Sequence, residues 1–380
     1  MIMRELVRIG HDCTIITSDS NALSEAPKFL GRVKHENIDG VKVYWLKTSK
    51  YKKANSFQRV VSWLDFEWQL WRLPKKQIKR PDAVIVSSLS LLTIMNGLLL
   101  RIRYRCRLIF EIRDIWPLTL TEEGGYSRLN PFVFCLGLLE KIGYRYADEI
   151  VGTMPNLGKH VAKILGFSRD VHCIPMGFDH RKMDEVIHIR KDKRPLDFLP
   201  AGRFIVGYVG SMGITNALDT FFGCAASMKN YPNIHFLAVG DGDSRHKYAE
   251  RFGRLPNLTI APSVAKPVVS QMLAVCDLLY FSVFPSRVWN YGQSLNKLIE
   301  YMLAGKPVLA SYSGFPSMIN EANCGSFLPA GDKTALQNEI IRFSNMEQSE
   351  REEIGMRGRA WVLQNRSYEK LAHQYLGILN

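Results

Sequence analysis

The sequence lacks a long apolar run, a pattern of paired cysteines and enough acidic residues to balance its bases. No apolar stretch reaches the ~18–20 residues that a spanning helix needs. The longest candidate, Leu89 to Leu100, is interrupted by Ser90, Thr93 and Asn96 and stops at Arg101-Ile102-Arg103. The opening Met1-Ile2-Met3-Arg4-Glu5-Leu6 has neither an apolar core nor a cleavage site, so no secretory signal is expected. The 7 cysteines stand far apart, without metal-ligand or redox spacing, which suits reduced thiols in a cytoplasmic protein. The 9 histidines form neither H-x-H nor H-E-x-x-H, and no metal site is expected. Internal repeats and low-complexity tracts are also missing.

What is present is the balance of a folded globular chain: 46% hydrophobic and 23% charged residues over 380 positions, more than one core usually holds. The net charge of +14 is uneven, with +10 on residues 1–178 and +4 on 179–380. The excess sits in clusters, Lys50 to Lys53, Arg72 to Arg80 and Arg101 to Arg107. Such clusters suit an anionic membrane face or a phosphorylated ligand, or else form a solvated basic face. No recognised nucleic-acid-binding module accompanies them, so no nucleic-acid partner is expected.

Apolar β-branched runs alternate with helical segments nearly throughout, which predicts α/β architecture with parallel sheets. The expected organisation is a first Rossmann-like domain over 1–178, a polar linker over 179–200 and a second such domain over 201–363. A closing helix over 364–380 is free to cross back to the first domain. In two doubly wound domains the natural ligand site is a cleft at the carboxyl ends of the strands. The segment Arg4 to His11 reads as the end of a helix with a glycine stop. The opening strand and glycine loop that normally precede such a helix are therefore expected to be missing, about 20 residues by ordinary element lengths. The expectation is either a start site placed too late or a truncated copy.

The strongest motif runs from Asn290 to Val308, a glycine-containing turn leading into a helix that stops at Gly305. Free amides and the positive end of the helix dipole make the loop from Gly292 to Asn296 an anion site, with Ser294 as the expected N-cap. Lys297 in the first turn gains nothing from the dipole, so a phosphate would explain it. Glu300, one turn on, suits ribose hydroxyls. The competing reading is an ordinary capped helix with a surface Lys297–Glu300 pair. A second candidate is Gly207-Tyr208-Val209-Gly210-Ser211-Met212-Gly213, where Gly210 and Gly213 would let a diphosphate approach the backbone. Its alternative is a plain strand-to-helix turn. Asp241-Gly242-Asp243 reads as a turn and cap rather than a metal motif.

In the first half, Glu111-Ile112-Arg113-Asp114-Ile115-Trp116-Pro117 ends a buried strand with charged residues. Asp114 is a candidate to orient an acceptor hydroxyl. Arg113 would either hold a phosphate or pair with Asp114. Phe57, Val60, Leu64, Trp68 and Trp71 recur at helical spacing, with Trp63, Phe66 and Leu70 on a second stripe. The basic run from Arg72 follows. This is the pattern of a membrane-interface helix, or of one buried against the sheet.

At these residues the chain resembles glycosyltransferase family 4, of the GT-B fold, and within it the bacterial N-acetyl-L-fucosamine and colanic-acid-type transferases. The matching stretches are R-E-L-V-R-I-G-H-D-C-T-I-I-T, R-D-I-W-P, I-P-M-G-F-D, G-Y-V-G-S-M-G, the run from Tyr291 to Pro307 and G-R-A-W-V-L-Q-N. The resemblance implies two Rossmann-like domains facing across a cleft, with the nucleotide on the second and the acceptor on the first. It implies retaining transfer from a UDP-sugar, without a further cofactor, to a polyprenyl-diphosphate-linked saccharide at the inner face of the plasma membrane. Glu300 matches the second glutamate of the family's E-x7-E pattern. The first falls on Gly292, so sugar recognition departs from the family's mainstream. The alternative is a non-catalytic chain that binds only nucleotide or an active partner.

Overall fold

The computed structural model describes residues 1–20, 26–51, 57–74, 78–182 and 199–379. Residues 183–198, most of the expected linker over 179–200, lie outside the described residues, as do Lys75 and Lys76 of the basic run and the side chain of Phe57. The chain divides into two units, Met1–Pro175 with Tyr368–Asn380, and Met176–Ser367.

The first unit opens on the helix Ile2–Arg8, and Gly10 takes the left-handed φ of 97° that ends it. Three strands follow, β1 (Thr14–Ser18), β2 (Val33–Ile38) and β3 (Val41–Leu46), in the order β1-β3-β2. β2 and β3 are antiparallel across Asp39-Gly40, whose φ values of 52° and 84° are the pair that a two-residue hairpin turn demands. The sequence reading missed β2. Its Lys34, His35, Glu36 and Asn37 leave it half exposed, without an apolar face to betray it.

Four parallel strands, β4 (Ala83–Ser87), β5 (Arg107–Ile112), β6 (Glu149–Gly152) and β7 (His172–Cys173), make a second sheet in that order. Leu70 of helix Phe57–Arg72 and Leu73 just beyond its end pack on Tyr44 and Leu46 of the first sheet. Helices Thr93–Tyr104 and Pro131–Tyr146 cover the second, the latter capped by Asn130, which accepts from the Phe132 N–H at 2.9 Å. The closing helix Tyr368–Leu379 serves both sheets. Its Leu371, Tyr375 and Ile378 pack with Ile109, Val151 and Ile174, while Ala372 packs with Leu6, Cys13 and Val43. Arg107 of β5 donates to the Ile378 carbonyl at 3.0 Å, closing the helix end.

The second unit holds β8 (Phe204–Val209), β9 (Ile234–Val239), β10 (Leu258–Ala261), β11 (Leu278–Ser282), β12 (Val308–Ser311) and β13 (Gly325–Leu328). They lie parallel in the order β10-β9-β8-β11-β12-β13, the doubly wound arrangement. Both faces of the inner strands β8, β9, β11 and β12 are covered, so these read as nearly continuous apolar runs, while the edge strands β10 and β13 are only partly buried. Val206, Tyr208, Phe236 and Tyr280 meet Phe221 and Phe222 of helix Asp219–Ser227 on one face. Ile205, Val209, Phe281 and Val308 meet Leu298, Ile299 and Tyr301 of helix Asn296–Leu303 on the other. β8 and β11 pair only at Val206–Leu278 and Gly207–Leu279, and their carboxyl ends then part.

Candidate functional site

In a doubly wound sheet, ligands bind beyond the carboxyl ends of the strands where the order reverses. Here that point lies between β8 and β11. The loop after β8, Gly210 to Gly213, is held by the loop after β9. The Gly210 N–H donates to Val239 O at 2.9 Å and the Met212 N–H to Asp241 O at 2.8 Å. Glycine is required for this contact. A Cβ on Gly240, at φ 153°, would lie 1.8 Å from the Gly210 carbonyl oxygen. Asp241-Gly242-Asp243 therefore supports the loop, and the Gly242 N–H closes the turn on Asp241 Oδ1 at 2.8 Å.

Lys297 stands in the first turn of helix Asn296–Leu303 and reaches across the parted strands. Its ammonium donates to Tyr208 Oη at 3.4 Å and to Asn216 Oδ1, and lies 5.3 Å from the centre of the Tyr208 ring. Among the described residues no carboxylate pairs with it. Burial pushes its pKa down to about 8. Tyr208 Oη in turn donates to the Ser211 carbonyl, so one cation is connected to the strand, the glycine loop and the turn at Asn216.

Three of the other expected residues share this helix start. Gly292, at φ 104°, is buried, and Asn296 is exposed as the first helical residue. Glu300 keeps its carboxylate at the surface, yet the surrounding chain shields it enough to raise its pKa, an effect that Lys266 opposes. The surface pair with Lys297 does not form, because Lys297 turns to Tyr208 and Asn216. Ser294 requires a correction. The N-cap position falls on Leu295, and Ser294 Oγ instead accepts the Met176 N–H at 2.8 Å, fixing the segment that enters this unit. A cavity of about 280 Å³ beside Asp219, Lys247, Phe284 and Ser311 includes none of the expected residues.

In the first unit, Arg113 and Asp114 follow the end of β5, where buried Ser88 fixes their backbone. Ser88 Oγ accepts the Arg113 N–H at 2.9 Å and donates to Asp114 O at 3.1 Å. The Arg113 guanidinium lies 3.9 Å from Glu111. Burial raises the Asp114 pKa, opposed by Arg113 and then Arg59. Arg59 is a residue the sequence reading missed. Its guanidinium lies 5.0 Å from the Trp63 ring centre and 5.7 Å from that of Trp116. The i, i+4 spacing of Arg59 and Trp63 was its only local signal. Tyr208, Asn216 and Tyr301 were missed as well, since nothing near them in sequence marks their partners.

Two α/β units with parallel sheets, the second doubly wound, define the GT-B class of fold, and solved structures of that class bear it out. A sucrose-phosphate synthase from Thermosynechococcus elongatus aligns with a TM-score of 0.71 at 16% identity, over 99% of this chain and 90% of that chain. Anabaena HepE in complex with UDP-glucose aligns at 0.63 and 16% identity, over 96% and 99%. WaaG, a glycosyltransferase involved in lipopolysaccharide biosynthesis, aligns at 0.64 and 13%, over 100% and 94%. At such identities the likeness is one of fold.

The family is set by sequence. The glycosyl transferase 4-like domain matches residues 1–177 and the glycosyl transferases group 1 family matches residues 203–345. The chain belongs to this group of GT-B glycosyltransferases. No curated protein matches its sequence.

Proposed function

We propose that the chain transfers sugar from a UDP-sugar, with retention of configuration, to a polyprenyl-diphosphate-linked saccharide in bacterial surface-polysaccharide assembly. The observation that carries the donor assignment is Lys297, a desolvated cation at the switch point of the sheet with no carboxylate partner among the described residues. A diphosphate supplies the missing negative charge. Sugar transfer needs the departing diphosphate stabilised and the acceptor hydroxyl positioned, more than it needs a strong nucleophile. In this reading Lys297, the loop from Gly210 to Gly213 and the helix start at Asn296 receive the diphosphate. Glu300 accepts hydrogen bonds from the ribose. Asp114 orients the acceptor hydroxyl and Arg113 holds the acceptor's phosphate. The UDP-glucose complex of HepE and the lipopolysaccharide role of WaaG support the donor and pathway assignments.

The test is transfer itself. Full-length protein, radiolabelled UDP-sugars and a lipid-linked acceptor fraction should move label into the organic phase with stoichiometric UDP release. Release of UDP without lipid-linked label would overturn the acceptor assignment, and failure to bind UDP would overturn the donor.

A further inference from the structure

Alternate residues of a strand share a face, so one face of β5 carries Arg107, Ile109 and Glu111, with Arg113 next in line just past its end. The closing helix Tyr368–Leu379 covers that face. Ile109 clusters with Leu371, Tyr375 and Ile378, and Arg107 donates to the Ile378 carbonyl at 3.0 Å. At the other end of this contact the Tyr375 hydroxyl donates to Glu111 Oε1 at 2.5 Å. The Tyr375 ring is 1% exposed and packs as a phenylalanine ring would, so packing does not account for the hydroxyl. Burying a hydroxyl is costly unless it is hydrogen-bonded, and Glu111 is the partner that the fold supplies. Burial, and then the Glu111 charge, hold the phenol far above its usual pKa, which keeps it a donor.

The two oxygens of Glu111 are used differently. Oε1 takes the phenol, while Oε2 lies 3.9 Å from the Arg113 guanidinium, beyond hydrogen-bond length. A carboxylate and a guanidinium on neighbouring positions of one face can close into a two-bond pair at about 2.7–2.9 Å. Here they stop short of it. The Arg113 backbone is fixed separately, its N–H donating to buried Ser88 Oγ at 2.9 Å. What holds the carboxylate back is therefore on the other side of Glu111, and that is the Tyr375 hydroxyl.

We infer that Tyr375 is a positioning residue for the acceptor: by holding Glu111 back from Arg113, it keeps that carboxylate from competing with the acceptor's phosphate for the guanidinium. Carboxylate and phosphate match the same planar fork of donors, so a closed Glu111–Arg113 pair would exclude the ligand. The inference rests on the reading of Arg113 in the proposed function. It adds that a side chain of the closing helix, 264 positions from Glu111, sets how strongly Arg113 receives its anion.

Full-length variants are assayed for transfer of label from a radiolabelled UDP-sugar to the lipid-linked acceptor fraction. Tyr375→Phe should raise the acceptor KM about tenfold, the scale of one hydrogen bond to a charged group, with kcat and the donor KM little changed. In its crystal structure Glu111 and Arg113 should close to about 2.7–2.9 Å. Adding Glu111→Gln to Tyr375→Phe should restore most of the acceptor affinity, because an amide brings no charge to the guanidinium. A packing defect would not be relieved by that second change. Glu111→Gln alone, where the phenol still has an acceptor oxygen, should lower the acceptor KM, and this variant leaves the buried ring untouched. Arg113→Gln tests the underlying reading and should raise the acceptor KM, with no further loss when combined with Tyr375→Phe. An acceptor KM that Arg113→Gln leaves unchanged would remove Arg113 from the phosphate site, and the inference with it. If Arg113→Gln raises it but Tyr375→Phe does not, or the double variant is not rescued, the role of Arg113 stands and the inference falls. A gap that stays at 3.9 Å in Tyr375→Phe, or a raised acceptor KM in Glu111→Gln, overturns it equally.

Discussion

The Tyr301 hydroxyl accepts the Val209 N–H and donates to the Val209 carbonyl, both at 2.9 Å. At this point β8 has lost its pairing with β11, so a side chain from the next helix supplies what a neighbouring strand would have supplied. The helix that carries Lys297 and Glu300 is tied to the strand that delivers the Gly210 loop, and the two halves of the candidate donor site share one anchor.

Tyr301→Phe keeps the ring but leaves a buried N–H and carbonyl without partners. It should lower stability by about 1–3 kcal/mol in urea denaturation. It should also weaken UDP binding, because the helix start loses its tether. A variant as stable as the parent would mean that water or a shifted strand replaces the hydroxyl.

Glu300→Ala should weaken UDP and uridine alike, by tenfold or more, since charge-assisted hydrogen bonds are worth about 1.5–3 kcal/mol. Glu300→Gln should lose less, having kept an acceptor oxygen. Lys297→Ala should weaken UDP far more than uridine, because its partner is the diphosphate. Calorimetry with both ligands separates these roles, and equal losses for Lys297→Ala would remove it from the phosphate site.

Because burial holds Lys297 near a pKa of about 8, UDP binding should be level around pH 7 and weaken as the pH rises above 8. The sign for stability is opposite. The unfolded chain keeps the proton up to its ordinary 10.5, so this group's contribution to stability rises from pH 8 to 10.5. Lys297→Met should therefore melt above the parent at pH 7, by about 2–4 °C, with the gap closing near pH 10.5. A gap that does not change with pH would show that the ammonium is not the cause.

Gly240→Ala places a methyl 1.8 Å from the Gly210 carbonyl oxygen at a φ that L-residues avoid. The Gly210 loop must move, so UDP affinity should fall even where the variant stays folded. Gly166→Ala is the control. It is also at positive φ, but nothing lies within 4 Å of its added carbon, so it should lose stability without losing UDP. Equal UDP affinity in both variants would show that the loop takes no part in binding.

The sequence by itself determined the α/β alternation, because buried parallel strands must be apolar throughout and helices must be apolar at intervals of three and four. Phe204–Val209 needed no more than that. The same rule hid β2, whose polar residues face solvent. Lys297 was legible as an anomaly, a cation at the wrong end of a helix dipole, and Gly210 as a place where backbone is bared. Where Lys297 points was decided only by tertiary structure. Tyr208 and Asn216 lie 89 and 81 residues away, and they meet it because the sheet reverses its order there. Ser294 shows the same limit from the other side. Its type and position fitted a cap, but the chain entering the unit at Met176 offered an N–H 118 residues away, and the hydroxyl went there. Local sequence sets which groups seek partners. The register and crossing of distant strands decide which partner comes within 3 Å.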